Sequence, residues 1–390
     1  MANTLTNLIP TIYAALNKVS RERLGFVNAV AKNSSLERAA KDQSIRVPIA
    51  PAVTSEAANT PATTAPDTGD NTIDSVEVTI SKSYHIPVRY AGEEVKGLMN
   101  AGNYNDITQQ RFEQAFRRMS NLIEIDLAST YKYASRATGT AGTTPFNTAG
   151  TVSDFANVMR ILDDNGCPAD DLCLVLSNAA WANLRGKQSN FFKVNEAGSD
   201  EMLRDGAMAR AFGFKLFQSG QVATHTPGTT TDATLTSTDY AVGATTLTLA
   251  SAGTGTIVEG DMVNIAGQNN GIWYGVRTGD ADVSNAGTVV LNNPGLQIAQ
   301  TSNTQVIAPA ATAWKANLAF HPSAIQLVTR QPALPEGGDM ADDRTVVTDP
   351  VSGISFEIAE YKQFRQTVFH VSLAWGYQAI KQEHIAVLFG

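Results

Sequence analysis

Two cysteines, five histidines and an acidic run at Glu336, Asp339, Asp342 and Asp343 are the residues of this 390-residue chain whose chemistry comes first into question. Cys167 and Cys173 are too few for a disulfide framework or a four-thiolate zinc site. One follows a turn and the other lies in the apolar run 172–176, so buried, inert thiols are expected. His85, His225, His321, His370 and His384 are scattered, and none lies three or four residues from another, the spacing that brings two imidazoles to one helix face around a metal. The acidic run offers the several oxygens that a hard cation wants, against the plainer reading of a solvated loop.

Phosphate and nucleophile chemistry are no better specified. Gly186-Lys187-Gln188-Ser189 has Trp181 where a phosphate loop needs its first glycine, and no zinc-protease, nucleophile-elbow or dinucleotide pattern occurs. Asp163-Asp164-Asn165-Gly166 begins like a calcium loop, but its glycine comes at the fourth position and no glutamate closes the loop. It reads as a helix end. No catalytic residue, metal ligand or cofactor is assigned, and an enzyme is not the expected outcome.

Composition narrows the classes further. Hydrophobic residues make up 43% and charged residues 17%, which excludes a disordered chain. The formal net charge of −8 gives no global footprint for a nucleic-acid-binding protein. Neither a signal peptide nor an 18-residue apolar run is present, so no membrane is expected.

The elements that must carry any function follow from periodicity. Leu8, Ile12, Leu16, Val19, Leu24, Val27 and Val30 recur at mostly three- and four-residue steps and predict one or two amphipathic helices. Residues 1–46 hold seven cations against three carboxylates, so Lys18, Arg21 and Arg23 are candidate contacts for an acidic partner. Residues 44–49 read as a strand, and 51–71, rich in Thr, Ala and Pro, cannot build a core. Ile73, Val76, Val78 and Ile80 lead into a second apolar run at 86–90, so an extended hairpin with an irregular tip is expected.

Phe112, Phe116, Met119, Ile123, Leu127 and Tyr131 fall at steps of three and four, predicting a helix over 106–133 with Asp106 as N-cap. At 1.5 Å per residue it would span about 42 Å, a strut across a whole domain. Helix and strand patterns then alternate over 152–218. Between 221 and 309 the chain carries 17 Thr and 11 Gly, six carboxylates and Arg277 as its one cation, with short alternating runs between Gly- and Asn-rich turns. An inserted all-β module is expected there, and its acidity argues against contact with DNA. Period-two alternation through Ile354, Phe356 and Ile358, and again from Phe369 to Tyr377, predicts a closing antiparallel sheet.

In this order the parts resemble the major capsid (coat) proteins of tailed double-stranded DNA bacteriophages, the Hong Kong 97 fold, and more narrowly the short-tailed-phage coat proteins with an inserted β-barrel. Three stretches carry the narrower resemblance: Leu8-Ile-Pro-Thr-Ile-Tyr-Ala-Ala-Leu16 leading to Val47-Pro-Ile49, Glu259-Gly-Asp-Met-Val-Asn-Ile-Ala-Gly267, and Asn317-Leu-Ala-Phe-His-Pro-Ser-Ala-Ile-Gln-Leu-Val-Thr-Arg330. The resemblance implies an α+β fold with an N-terminal arm (1–45), an extended loop (46–98), a peripheral domain with a spine helix (99–137 and 335–390), an axial domain (138–220 and 310–334) and the inserted β domain (221–309).

It also implies a structural virion protein, made in the host bacterial cytoplasm, that self-assembles as hexamers and pentamers into an icosahedral head around DNA. Some family members cross-link through an extended-loop lysine; 51–81 contains none, so a non-covalent shell is expected. Some begin with a cleaved scaffolding segment of about a hundred residues; here the strut helix starts near Asp106, and the resemblance implies a separate scaffolding protein, with Lys18, Arg21 and Arg23 as its candidate contact, and a portal. Two other classes compete: a surface adhesin or tail component, suggested by the Thr- and Gly-rich module, and a metal-dependent hydrolase using Asp339 and Asp343.

Overall fold

A computed structural model describes residues 22–49, 74–100, 104–188, 210–236, 238–266, 268, 271–300, 305–349 and 352–390. The expected arm helices before Glu22, Lys18, Arg21 and the hairpin tip lie outside these residues. The fold class is α+β, as the periodicities require.

The six-residue stripe produces the longest described helix, Tyr104–Ala128, which tightens into a 3-10 turn at Ser129–Tyr133. All six stripe residues are buried. The helix starts two residues before the expected cap, so Asp106 sits in its first turn. It packs on a six-stranded sheet ordered Ala31–Ala39, Ile325–Pro332, Gln366–Ala379, Ser355–Gln363 and Asp343–Thr348, with Lys82–Ala91 paired antiparallel to Gln366–Ala379. Phe112 meets Phe369 and Phe116 meets Phe356, each with ring centroids 5.5 Å apart. Aromatic contacts of this kind fix helix against sheet beyond the area they bury.

The alternation at the C-terminus behaves as expected. Phe369, Val371, Leu373 and Trp375 are buried on the face toward the helix, and Ile354, Phe356 and Ile358 join them. One strand is not apparent from pattern: Ala31–Ala39 runs parallel to Ile325–Pro332, with a register shift between Ser34 and Arg38.

Ser44–Ile49 and Asp74–Thr79 form the expected antiparallel hairpin, a two-stranded sheet of its own. Its root is tied down where Ile80 N–H donates to the Gln43 carbonyl and Asp42 N–H donates to that of Ile80, both at 2.9 Å. Ile80 packs with Ala39 and Ala374. Gly376 lets the root come this close: a Cβ there would lie 2.1 Å from the Thr79 carbonyl oxygen. Gly376→Val is therefore expected to destabilise the fold by about 1–3 kcal/mol through overpacking. Faster hydrogen exchange at the Ser44–Ile49 amides would report the lifted root, and exchange at the wild-type rate would show that the backbone yields freely.

The second sheet has twelve strands. Its central run is Arg136–Thr138, Ile385–Phe389, Trp314–Phe320, Cys173–Ser177 and Phe214–Ser219. Helices Ser153–Asp164 and Asn178–Lys187 cover one face through Phe155, Leu162, Trp181 and Leu184. The Ser177 hydroxyl caps the second helix by accepting from Ala180 N–H at 3.3 Å. The β module has its own core around Leu235, Leu247, Val263, Val276 and Leu296. Its strands are not a separate sheet: Trp273–Thr278 pairs with Arg136–Thr138 and continues the central sheet into the module.

Candidate functional site

Several of the residues singled out for chemistry have partners within the protein. Cys167 and Cys173 are free, and burial pushes both thiols up to about 11. Asn165 and Gly166 terminate helix Ser153–Asp164, and the Arg136 guanidinium donates to the Ile161 carbonyl and the Asn165 side chain, both at 3.1 Å. In the acidic run Asp339 pairs with Arg344 and accepts from the Tyr361 hydroxyl, and Asp342 pairs with Lys362. These carboxylates have cationic partners in the protein itself. Among the described residues no three His, Cys, Asp or Glu side chains are grouped to hold a metal ion. No described helix is long and apolar enough to cross a membrane. Of the basic arm candidates Arg23 is described, and it is exposed.

Folding does bring together groups that sequence spacing separates. Tyr131, at the end of the long helix, shares a hydrogen bond of 2.9 Å with His225 Nδ1, and His225 Nε2 lies 2.7 Å from Asp261 Oδ1. Nε2 supplies a proton to the carboxylate, so in the neutral ring Nδ1 accepts from the tyrosine hydroxyl. Hydroxyl, imidazole and carboxylate in a row form the arrangement that activates nucleophiles. Here all three are buried, Trp314 packs against both rings, and burial drives the Tyr131 hydroxyl up to about 12. Buried in this way, the hydroxyl is placed to brace the helix end against the β module. The brace joins the long helix to the β module, helped by Asn292, whose amide donates to the Lys132 and Ala134 carbonyls at 2.9 and 2.8 Å.

Another buried carboxylate lies near the C-terminal end of the long helix. Glu124 accepts from the backbone N–H groups of Gly25, Phe26 and Val27 at 2.6, 2.9 and 3.0 Å. It supplies the missing partners at the start of the short helix Phe26–Ala29. Burial raises its pKa, and the three N–H donors oppose that rise. Glu22 continues the attachment through Arg117 at 2.6 Å and through Asn121. The chain that precedes the first sheet is thereby clamped to the long helix.

His85 and His370, far apart in sequence, stack across neighbouring strands with ring centroids 4.6 Å apart and an interplanar angle of 3°. Burial, and then the neighbouring His85, lower the pKa of His370; burial also lowers that of His384. A histidine depressed in the fold takes its proton in the unfolded chain first. Stability is therefore expected to fall as pH drops below the ordinary 6.5, until the depressed folded values are passed. Thermal midpoints compared between about pH 7.5 and about pH 5 should show the loss, and the double variant His370→Asn, His384→Asn should flatten it. An unchanged slope in the variant would assign the loss to other groups.

The described residues hold a long helix on a six-stranded sheet, a two-stranded hairpin, a helix-covered central sheet and a β module. No protein-family model and no curated protein matches the sequence. Solved structures similar to it include the capsid of the cyanophage P-SCSP1u (13% identity, 95% of this chain and 88% of that one, TM-score 0.47). The capsid of a native GTA particle is also similar (10% identity, 95% and 91%, TM-score 0.45), as is the capsid of the Myoviridae phage XM1 (13% identity, 95% and 92%, TM-score 0.41).

Proposed function

We infer that this chain is a shell subunit, a major capsid protein of the Hong Kong 97 type without a catalytic site. Many copies form hexamers and pentamers that close into an icosahedral phage head around double-stranded DNA. The observation that carries this reading is the hairpin. Ser44–Ile49 alternates between exposed and half-buried residues, and Asp74–Thr79 is largely exposed until Val78. A two-stranded ribbon is marginal alone. Its outer part needs a surface that its own subunit does not provide, and a neighbouring copy is the natural one. Ring contacts of this kind are heterologous, and an extended ribbon tolerates closure at both five and six copies.

In this reading 1–45 is the arm, 46–98 the extended loop, 99–137 with 335–390 the peripheral domain, 138–220 with 310–334 the axial domain, and 221–309 the insertion. The shell is non-covalent: Lys82, the first lysine after the hairpin, is held by Asp126 at 2.5 Å. A separate scaffolding protein, met by Lys18, Arg21 and Arg23, and a portal complete the assembly, and the mature subunit resides in the virion.

Negative-stain electron microscopy of the full chain, alone and co-expressed with a candidate scaffolding protein, tests the proposal. Rings, tubes or closed shells that dissolve to monomer bands on a denaturing gel are expected. Uniform monomers under both conditions would overturn it in favour of an adhesin or tail component. The hydrolase reading has less support, since Asp339, one of the two carboxylates it would use, is paired with Arg344.

A further inference from the structure

Folding turns the acidic run into a mount for one apolar side chain. Gly337 and Gly338 turn the chain with φ of +91° and +85°, Ala341 N–H donates to the Asp339 carboxylate at 3.1 Å, and Asp342 N–H donates to the Glu360 carbonyl at 2.7 Å. Asp339 is tied to Arg344 and Tyr361, and Asp342 to Lys362. Between these two anchored aspartates Met340 is 93% exposed, more than any other large hydrophobic residue described. A side chain held in water on a braced loop is pre-organised for contact, and methionine is enriched in interfaces. Glu336 and Asp343 are exposed and form no ion pair among the described residues, so the loop stays negative although Arg344 and Lys362 meet its other two carboxylates.

The complementary chemistry lies across the same sheet. Between the long helix and Lys82–Ala91 is a groove of about 460 Å³ lined by Ile86, Val88, Ile107 and Ala115, with Arg89 and Arg111 beside them. Both arginines are exposed, and neither pairs with a carboxylate among the described residues. Arg111 is held in place by the Arg89 carbonyl at 3.0 Å and lies over the Tyr90 ring, 4.9 Å from its centroid. Lys82–Ala91 and Ser355–Gln363 pair with the same stretch of Gln366–Ala379, so they flank it on opposite sides. Asp343–Thr348 lies beyond Ser355–Gln363, three strand spacings or about 14 Å from Lys82–Ala91. Loop and groove are therefore far apart in one subunit, and an exposed Met340 does not fill the groove of its own copy.

We propose that the loop 335–343 of one copy docks on a neighbouring copy, with Met340 in the groove and Glu336 and Asp343 facing Arg89 and Arg111. Charge selects this occupant: an apolar floor flanked by cations fits an apolar knob flanked by carboxylates. Because the two surfaces differ, the contact is head to tail, and it closes into a ring or runs on as a filament. It rests on the shell reading in requiring self-association, and it names a contact separate from the hairpin.

Oxidation of assemblies of the full-length double variant Met340→Cys, Gln110→Cys tests it. A ladder of covalent dimers, trimers and longer oligomers is expected on a non-reducing gel, which neither single variant gives; the natural cysteines are buried. In this background Arg89→Glu and Glu336→Arg should each slow cross-linking about tenfold, and together restore it. Wild-type assemblies supply a reading free of substitutions: hydrogen peroxide should convert Met340 to its sulfoxide at least about tenfold more slowly than in free subunits. Assemblies without a ladder, a cross-link confined to one chain, a double reversal as slow as the single ones, or unchanged Met340 oxidation would each overturn the contact and leave the shell reading standing. A wild-type chain that stays monomeric would overturn both.

Discussion

Asp261→Ala is expected to cost about 3–5 kcal/mol of folding free energy, because it removes the shared acceptor of three buried donors. Asp261 accepts from His225 at 2.7 Å, from Gly228 N–H at 3.1 Å and from Val258 N–H at 2.8 Å, with none of its surface exposed. Alanine would leave these donors buried and unpaired, and each unpaired group costs about 1–3 kcal/mol. The damage should spread to the long helix, since Tyr131 loses the oriented imidazole that it binds. Asp261→Asn keeps an acceptor and should lose less, about 1–2 kcal/mol. Urea denaturation of the three proteins measures the series, and an alanine variant with the wild-type midpoint would mean that the β module holds the helix by other contacts.

Glu124→Ala should cost a similar amount, about 3 kcal/mol or more, for three backbone N–H groups left without partners inside the protein. Glu124→Gln separates charge from hydrogen bonding. It keeps an oxygen for Gly25 and Phe26, leaves Val27 N–H without its acceptor, and removes an ionised group that burial disfavours, so a loss smaller than alanine's, about 1–2 kcal/mol, is expected. The pH dependence distinguishes this site from the histidines. A carboxyl whose pKa is raised in the fold contributes stability that is fully present below its ordinary 4.5 and is lost as pH rises through the raised value. Glutamine should abolish that component. A pH profile of Glu124→Gln superimposable on wild type would show that the carboxyl titrates alike in both states.

What the sequence made legible is what local periodicity encodes. The long helix was readable because its apolar stripe repeats through six residues, and the closing sheet because Phe369 to Tyr377 alternate strictly. The strand Ala31–Ala39 was not, since Ala-Lys-Asn-Ser-Ser-Leu-Glu-Arg-Ala has neither pattern and is held extended by its parallel partner Ile325–Pro332. Arg136–Thr138 has three residues, too few to show a period, yet it joins the module to the central sheet. The buried polar groups were the least legible. Tyr131 and His225 are 94 residues apart, and Glu124 lies 98 from Phe26. One faint signal existed for Glu124, a carboxylate within the most apolar stretch of the long helix. Its partners are backbone amides, which no side-chain motif announces.

The place of Ile385–Phe389 in the central sheet sets an order on synthesis. This strand lies between Arg136–Thr138, its parallel neighbour, and Trp314–Phe320, its antiparallel one. Ser135 donates to Ile385 across 250 residues and Asn317 to Leu388 across 71. Until residues 385–389 have left the ribosome, the strands on either side have a vacant seat between them and cannot close their ladder. At a synthesis rate of about 5–20 residues per second the earlier segments wait many seconds with those edges unpaired. A nascent chain is therefore unable to complete this sheet until translation has passed Ile385–Phe389.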